Sequence, residues 1–192
     1  MRIISGIARG RRLFTPAGTN RAIRPTADRA REAVFSIIGA AIVGSHVIDL
    51  FAGTGAFGCE ALSRGAASVL FIDNSSRALT LVAKNVALID DGPRRSVLRR
   101  ADLSKGLGVL TGTNGPRQRY DLIFADPPYG RELARTILQL LDRPDIFSAE
   151  ALLIIEENKD FAPPDTLDHL IPVDSRRYGD STFAFFRPTP PT

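Results

Sequence analysis

Residues 46–58, which read HVIDLFAGTGAFG, are the stretch that decides the fold of this 192-residue chain. The first six are mostly apolar and predict a buried strand that ends where the glycines begin. Glycine lets the backbone turn tightly and approach a ligand, and the next residues, GCEALSRGA, predict a helix that ends at Gly65. A strand, a glycine turn and a helix predict one unit of a Rossmann-like sheet, with free backbone N–H groups where the helix begins.

The same alternation continues toward the carboxyl terminus. Further strands are predicted for SVLFID, SVLRRAD, YDLIFAD and ALLIIEEN, and helices for SSRALTLVAKNVALI and RELARTILQLLD. Residues 167–187 read as two strands around Tyr178-Gly179-Asp180, which predicts an antiparallel hairpin. We therefore expect an α/β fold with a mostly parallel seven-stranded sheet that ends in an antiparallel hairpin.

The chain has the length of a single domain. RIISGIA and RRLFTPA flank Arg9-Gly10 and predict a hairpin, and Thr26 is expected to cap a helix over ADRAREAVFSIIGAAIV. We interpret the chain, 1–192, as one domain with a basic N-terminal extension and helix at 1–43, a ligand-binding catalytic core at 44–187 and a tail at 188–192.

The positive charge of the chain is concentrated near its N-terminus. Residues 1–31 carry eight arginines against Asp28, a local charge of +7, whereas the whole chain is +4 and the rest is therefore −3. Such a patch is the electrostatic footprint of a protein that binds a nucleic-acid backbone. The alternative is a solvated arm that contributes only to solubility. The candidate RNA-binding residues are Arg2, Arg9, Arg11, Arg12, Arg21 and Arg24.

Cysteine and histidine usage restricts the chemistry. A single cysteine, Cys59, excludes an internal disulfide, and two histidines, His46 and His169, leave little for a metal site. Cys59 lies in an apolar stretch and is expected to be a small buried residue. The sequence lacks the roughly 18 to 20 uninterrupted apolar residues of a membrane span and lacks a secretory signal. We expect a cytoplasmic monomer that has no metal ion and no membrane partner.

Acidic residues at three predicted strand ends indicate the ligand. Asp49 lies four residues before Gly53, where a carboxylate suits a cationic ligand and would repel a pyrophosphate. Asp73 can accept both hydroxyls of an adenosine ribose, and Asp102 can accept an adenine amino group. These features favour S-adenosylmethionine (SAM) over NAD, although the spacing of Gly53 and Gly55 alone fits both. The alternative is that Asp49 and Asp102 are loop or capping residues.

The segment Asp126-Pro127-Pro128-Tyr129 follows the fourth predicted strand, at the edge where open α/β sheets bind ligands. An exocyclic base amine is a poor nucleophile because its lone pair is delocalised, and two acceptors on its N–H bonds would localise that lone pair. Asp126 supplies a carboxylate, and the extended Asp-Pro-Pro path leaves the Pro127 carbonyl as the second acceptor. Tyr129 offers a ring on which the base could stack. The alternative is a rigid turn with a packed tyrosine.

These motifs resemble the amino-methyltransferases that carry a D/N-P-P-Y/F sequence, and the leading Asp favours a base over a protein amide as the target. RIISGIARGRRL, RPTADRARE, DLFAGTGAFGCEALSRGA and FADPPYG resemble, over nearly the whole chain, the bacterial RsmD family. Members of this family are Rossmann-like class I SAM-dependent methyltransferases that modify one guanine N2 of 16S ribosomal RNA. The resemblance implies that the partner is ribosomal RNA or a partly assembled small ribosomal subunit.

The resemblance implies a role for each motif residue. The cofactor site would comprise Asp49, Gly53, Gly55, Asp73, Asn74, Asp102 and Thr26, and the target amine would be held by Asp126, Pro127 and Tyr129. Arg24 and Thr26 would lie over the mouth of the site. Where the family often has Glu before the ribose-binding turn, this chain has Asp73-Asn74, a shorter reach toward the ribose.

Two other functions fit the same motifs. A DNA adenine-N6 or cytosine-N4 methyltransferase could use the DPPY segment equally well, but such enzymes usually add a target-recognition domain for which this sequence has no room. An inactive Rossmann-like RNA-binding protein is the second alternative. The intact DPPY segment argues against it.

Overall fold

The computed structural model describes residues 1–16, 25–110, 118–128, 132–164 and 166–190. Within these ranges the strands are β1 (His46–Leu50), β2 (Ser68–Asp73), β3 (Ser96–Arg100), β4 (Tyr120–Ala125), β5 (Phe147–Asn158), β6 (Leu170–Tyr178) and β7 (Ser181–Pro188). The α-helices are α1 (Pro25–Ile38), α2 (Ala56–Ser63), α3 (Ser76–Val86) and α4 (Leu133–Leu141). Short 3-10 helices cover Gly39–Ile42, Gly92–Arg95, Leu103–Lys105 and Gly108–Leu110.

The described strands form one seven-stranded sheet in the order β3-β2-β1-β4-β5-β7-β6. Strands β1 to β5 are parallel, and β7 is antiparallel to both β5 and β6. This confirms the mostly parallel sheet with a closing antiparallel hairpin. The strand order reverses between β1 and β4, and the crevice at the carboxyl ends of two such strands is where open α/β sheets bind ligands.

Helices cover both faces of the sheet, because alternate residues of each strand point to opposite sides. On one face, α1, α2 and α3 pack through residues such as Phe35, Phe57 and Val82. On the other, α4 packs through residues such as Leu138 against Ile123 of β4. Two continuous apolar clusters, one on each face, therefore hold the strands in place. The residues that follow the carboxyl ends of the strands are available to form a binding site.

The N-terminal residues form the predicted hairpin, with only one β-bridge between its two sides. One antiparallel bridge joins Arg2 to Arg12, and the N–H of Ile3 donates to the carbonyl of Arg11 at 3.0 Å. The turn follows at Gly10, whose N–H donates to the Ile3 carbonyl at 2.8 Å. The hairpin is confirmed, although its pairing is too short for a regular ladder.

Helix α2 holds this hairpin against the domain. The carboxylate of Glu60, which is fully buried, accepts the N–H groups of Ile4 at 2.7 Å and Ser5 at 3.0 Å. The hydroxyl of Ser63 accepts the N–H of Ala8 at 3.0 Å. Because these backbone donors are satisfied by α2 side chains, the hairpin is attached to the domain by specific hydrogen bonds.

A buried amide extends this attachment to the glycine turn. Asn85 of α3 accepts the N–H of Phe14 at 2.7 Å and donates to the Phe14 carbonyl at 3.0 Å. The same amide donates to the carbonyl of Thr54 at 2.8 Å. Asn85 therefore links the basic arm to the loop that follows β1.

Several boundaries differ from the sequence prediction: α1 ends at Ile38 and not at Val43, and α2 covers Ala56–Ser63 and not 58–66. Two further differences have a clear physical reason. Helix α1 begins at Pro25, so Thr26 lies in its first turn and not before it, and the predicted cap is wrong. Strand β5 begins at Phe147, earlier than the predicted ALLIIEEN segment, because Phe147 still pairs with Tyr120 across an irregularity in the ladder.

Candidate active site at the carboxyl edge of the sheet

The turn that connects β1 to α2 contains three residues in the left-handed region of backbone conformation. The backbone φ angles are +58° at Phe51, +55° at Gly53 and +72° at Gly55. The two glycines adopt this conformation without the steric cost that other residues incur, whereas Phe51 is a non-glycine exception that lines the cleft. The turn thus brings backbone to the carboxyl edge of the sheet, as the glycine motif predicted.

Gly58 lies where α2 crosses β2. A Cβ atom added to Gly58 would lie 2.3 Å from the ring of Phe71, so no larger residue fits. Glycine at this position lets the helix pack closely on the strand, and so sets the start of α2 beside Asp49.

Asp49 is buried near the end of β1. Its carboxylate accepts the backbone N–H of Gly58 at 3.0 Å and lines the cleft. Burial raises the pKa of Asp49 to about 7, the hydrogen bond from Gly58 opposes this rise, and the negative charge of Asp73 adds to it. A buried carboxyl group of this kind suits a cationic ligand, because the cation compensates the cost of ionisation.

Asp73 joins the glycine turn to the start of α3. Its two carboxylate oxygens accept the N–H groups of Gly53 at 2.9 Å and Ser75 at 2.8 Å. An ionised carboxylate has about four acceptor positions, so both oxygens can still accept hydroxyl groups. The backbone carbonyl of Asn74, the next residue, accepts a hydrogen bond from the Nε–H of Arg100 at 3.0 Å.

Asp102 caps a short 3-10 helix. It accepts the N–H of Ser104 at 3.1 Å and the Ser104 hydroxyl at 2.6 Å, and Lys105 lies 3.7 Å away. The hydroxyl hydrogen bond is the main cause of a lowered pKa at Asp102. The capping alternative is thus present in the structure, and the same residue also lines the cleft.

Two cavities share Phe51 and Asp126 and form one cleft along the carboxyl edge. The first, of about 700 Å³, is lined by Phe51, Asp73, Asn74, Ala101, Asp102, Leu103, Ser104, Asp126, Pro127, Pro128 and Leu133. The second, of about 520 Å³, extends from Asp49 and Gly53 toward Glu156 and the turn between β6 and β7. The structure brings the predicted acidic residues to one cleft.

Asp126 lies where the two cavities meet. It follows the last residue of β4 and is exposed toward the cleft, whereas Ala125 and Pro127 on either side are buried. Protein atoms around the carboxyl group raise the pKa of Asp126 well above its usual range, and the charges of Glu156 and Asp49 raise it further. Tyr129 lies outside the described residues.

Several residues of the cleft were not predicted from the sequence. Glu156 near the end of β5 and Met1 of the arm line the same cavity as Asp126, as do Gly179 and Asp180 of the β6–β7 turn. Glu156 belongs to the EEN segment at a carboxyl strand end, which was the available signal. The structure describes only the backbone of Thr26, so its predicted contact with the cofactor stays a prediction.

The basic arm has two differently placed sets of arginines. One groove of about 670 Å³ is lined by four arginines, by two carboxylates and by Met1: Arg2, Arg9, Arg12, Arg29, Asp28 and Glu32. Arg11 points elsewhere, hydrogen-bonded to the carbonyl of Leu88 and 3.5 Å from the carboxylate of Asp90. Arg21 and Arg24 lie outside the described residues.

Arg31, which was counted in the basic patch, is buried. Its guanidinium donates to the carbonyl of Arg2 at 2.6 Å and to Asp28 at 3.0 Å, and its Nε lies 3.9 Å from Glu60. Paired with two carboxylates, this charge contributes little to the surface of the arm.

Cys59 is fully buried, as predicted, and burial raises the pKa of its thiol. Across the described ranges, no three His, Cys, Asp or Glu side chains come together as metal ligands would. None of the described helices combines the length and apolar composition that crossing a bilayer requires.

The strand order, the reversed last strand and the glycine turn after β1 define the Rossmann-like class I SAM-dependent methyltransferase fold. The model of the family described as "Conserved hypothetical protein 95" matches residues 1–187, and the chain belongs to this family. The resemblance to the RsmD family is confirmed by relatives of known name.

Ribosomal RNA small subunit methyltransferase D of Escherichia coli K12 is 35% identical over 156 residues, which cover 81% of this chain and 74% of the relative. The Bacillus subtilis protein YlbH is 32% identical over 191 residues, 97% of this chain and 98% of the relative. Among solved structures, the E. coli protein yhhF superposes with a TM-score of 0.80 at 29% identity, covering 98% of this chain and 97% of that chain.

Proposed function

We propose that this protein transfers a methyl group from SAM to the exocyclic N2 amine of a guanine in 16S ribosomal RNA of the small subunit. The observation that carries the proposal is the position of Asp126, at the junction of a cavity lined by Asp73 and Asp102 with a cavity lined by Asp49 and Glu156. A cofactor that extends along the cleft from Asp102 and Asp73 to Asp49 would pass this carboxylate, and a base in the remaining part of the second cavity would meet it there. The 35% identical relative named as a small-subunit ribosomal RNA methyltransferase supports the choice of RNA.

The residues present fit SAM. Asp49 offers a buried carboxylate to a cationic group, Asp73 has acceptor positions left for ribose hydroxyls, and Asp102 lies on the wall of the same cleft. When bound, SAM supplies a methyl group on a sulfonium, and the neutral thioether of S-adenosylhomocysteine is an excellent leaving group. The remaining task of the protein is to position the amine and exclude water.

Asp126 and Pro127 hold the amine in this proposal. The Asp126 carboxylate accepts one N–H of the amine and the Pro127 carbonyl accepts the other, so that the nitrogen lone pair points toward the methyl group. After transfer the nitrogen carries a positive charge and loses a proton. The raised pKa of Asp126 makes its carboxylate a suitable acceptor for that proton. Tyr129 stacks on the base in this scheme.

The groove on the arm provides a place for the RNA backbone. Arg2, Arg9, Arg12 and Arg29 line it, and Met1 lies on the walls of both this groove and the catalytic cleft. Phosphates bound by these arginines would therefore lie beside the cleft that receives the base. A ribosomal RNA substrate implies that the protein works in the cytoplasm, on naked RNA or on a partly assembled subunit.

Transfer of tritium from labelled SAM tests the proposal. Small subunits, 16S RNA and duplex DNA from cells that lack this protein are each incubated with the wild-type protein, and the labelled nucleoside is then identified. We expect N2-methylguanosine from ribosomal RNA, and no label with Asp126→Ala as the control. Label in methyladenine or methylcytosine of DNA would instead establish the alternative function.

A further inference from the structure

Asp126 and Glu156 lie side by side at the carboxyl ends of neighbouring parallel strands. Ala125 of β4 pairs in register with Ile155 of β5, so the residue that follows each of them lies on the same face of the sheet. Both Asp126 and Glu156 line the cavity of about 520 Å³. Their proximity is also evident electrostatically, because the charge of Glu156 raises the pKa of Asp126.

The walls around this carboxylate pair suit a flat ring. Phe57 and Phe124 stack with ring centroids 3.9 Å apart on one side of the cavity. Glu156 lies opposite Phe183 of β7, which also lines the cavity. The cavity, which Asp49 and Asp180 also line, therefore places this carboxylate pair beside aromatic walls. A heterocycle with hydrogen-bond donors on one edge suits this combination.

The Watson–Crick edges of the bases distinguish which heterocycle fits. In guanine, the exocyclic N2 amine lies next to N1–H, a second donor. In adenine and cytosine, the exocyclic amine lies next to an unprotonated ring nitrogen, an acceptor that a carboxylate would repel. Two adjacent carboxylates therefore complement guanine and oppose the other two amino bases.

We propose that Glu156 accepts the N1–H of the target guanine while Asp126 holds its N2 amine, which makes Glu156 the residue that determines base specificity. This inference rests on the proposed function. In this role Glu156 recognises the N1–H of the base, and Asp126 holds the N2 amine to which the methyl group is transferred. A hydrogen bond from N1–H to a charged acceptor corresponds to a change of about 10- to 100-fold in kcat/KM when it is lost.

The substrate analogue that tests this contact is 2-aminopurine, which keeps the 2-amino group, has no hydrogen on N1 and also lacks O6. The loss of O6 is the same for every variant, so the N1–H contact is measured by how Glu156→Gln changes the preference between the two substrates. The methylated guanine is first located with the wild-type protein, and subunits are then reconstituted with 16S RNA carrying guanine or 2-aminopurine at that position. The kcat/KM of methyl transfer is measured on both substrates for the wild type, Glu156→Gln and Glu157→Gln. Calorimetric titration with SAM measures cofactor affinity and reports that each variant is folded.

Glu157→Gln is the matched control. Glu157 is the next residue of β5, is buried, and accepts the N–H of Asn158 at 2.7 Å. It lines a different cavity, with Glu132 and Phe161, and its charge also acts on Asp126, although less than that of Glu156. The control therefore makes the same change of charge and amide without touching the cavity that Glu156 lines.

We expect the wild type to prefer guanine over 2-aminopurine by about 10- to 100-fold. Glu156→Gln should reduce this preference to a few-fold, mainly through loss of activity on guanine, with SAM affinity unchanged. An unchanged preference in Glu156→Gln, an equal reduction in Glu157→Gln, or a parallel loss of SAM affinity would each overturn the inference. Failure of the proposed function is distinguishable, because the wild type would then form no N2-methylguanosine on unmodified subunits.

Discussion

The carboxylate of Asp49 accepts the backbone N–H of Gly58 at 3.0 Å, so a buried acidic group lies beside the first turn of α2. This single hydrogen bond does not offset the cost of removing the carboxylate from water, and burial raises the pKa of Asp49 to about 7. Asp49 therefore changes its charge near neutral pH, directly in the wall of the cleft.

The first prediction concerns the pH dependence of cofactor binding. A cationic ligand favours the ionised form of Asp49, so the affinity for SAM should rise between pH 6 and 8, and binding near pH 7 should release a proton. Calorimetry in two buffers of different ionisation enthalpy measures both quantities. Asp49→Asn should bind SAM more weakly and with little of this pH dependence. A wild-type affinity that is flat from pH 6 to 8 would contradict the assignment.

The same group predicts a stability difference of defined sign. Between pH 4 and 7 the folded protein keeps a proton that the unfolded chain releases, so ionisation of Asp49 reduces stability as pH rises, and the effect is complete above about 7. At pH 8, the free energy of unfolding of Asp49→Asn, measured with urea, should therefore exceed that of the wild type by up to about 4 kcal/mol. This value follows from the rise in the pKa of Asp49 to about 7 at about 1.36 kcal/mol per pKa unit. The difference should disappear near pH 4.

The second prediction concerns Asp126. Because its carboxylate is proposed to hold the amine in the transition state, Asp126→Ala should reduce kcat by about 10²- to 10⁴-fold while SAM affinity stays within a few-fold. The raised pKa also predicts an acid limb, since activity is lost as pH falls and the carboxylate takes up a proton. Loss of SAM binding in a folded variant would instead make Asp126 a cofactor residue.

The fold could be predicted largely because each unit is encoded locally. A buried strand, a turn and a helix occupy consecutive residues, and parallel order follows from the connecting helices. The beginning of β5 was predicted too late, because Phe147 joins the sheet through pairing with Tyr120, a contact that apolar patterning of the segment does not contain. Thr26 was misplaced as a cap because α1 begins at Pro25.

Site residues could be predicted where their position depends only on the end of one strand. They could not be predicted where their position depends on how two strands pair. Asp49, Asp73 and Asp126 each end a strand or follow its end, so their position at the carboxyl edge follows from the alternation. Glu156 acquires its place only through the pairing of β5 with β4. The burial of Arg31 could not be predicted from the local charge count, because one of its carboxylate partners, Glu60, is distant in sequence.

The third prediction tests the buried attachment of the arm. Glu60 accepts the N–H groups of Ile4 and Ser5 and the Nε of Arg64 at 2.7 Å, so Glu60→Ala leaves buried donors and charges without an acceptor. We expect a loss of about 3 to 5 kcal/mol in the free energy of unfolding, measured with urea. Glu150→Ala is the control, because Glu150 forms an exposed ion pair with Arg187 and should lose at most about 1 kcal/mol. Equal losses in the two variants would show that the buried carboxylate does not stabilise the arm.

The last prediction separates the arginines of the arm. Arg9 and Arg12 line the groove, whereas Arg11 between them is engaged with Asp90 and the Leu88 carbonyl. Arg11 and Arg12 are consecutive, yet only Arg12 lines the groove, so one residue in sequence separates a candidate phosphate-binding position from a structural one. Each of these variants, made singly to alanine, has the same change of charge, and only their placement differs.

Each phosphate contact contributes about 0.7 to 0.9 to the slope of log K on log salt concentration. Arg9→Ala and Arg12→Ala should each flatten the slope for small subunits by about this amount and raise the substrate KM, with SAM affinity unchanged because neither residue lines the catalytic cleft. Arg11→Ala should leave the slope at its wild-type value. If all three variants keep the wild-type slope and KM, the arm is a solvated surface. If Arg11→Ala changes the slope as much as the other two, the groove is not the RNA path and binding depends only on the net charge of the arm.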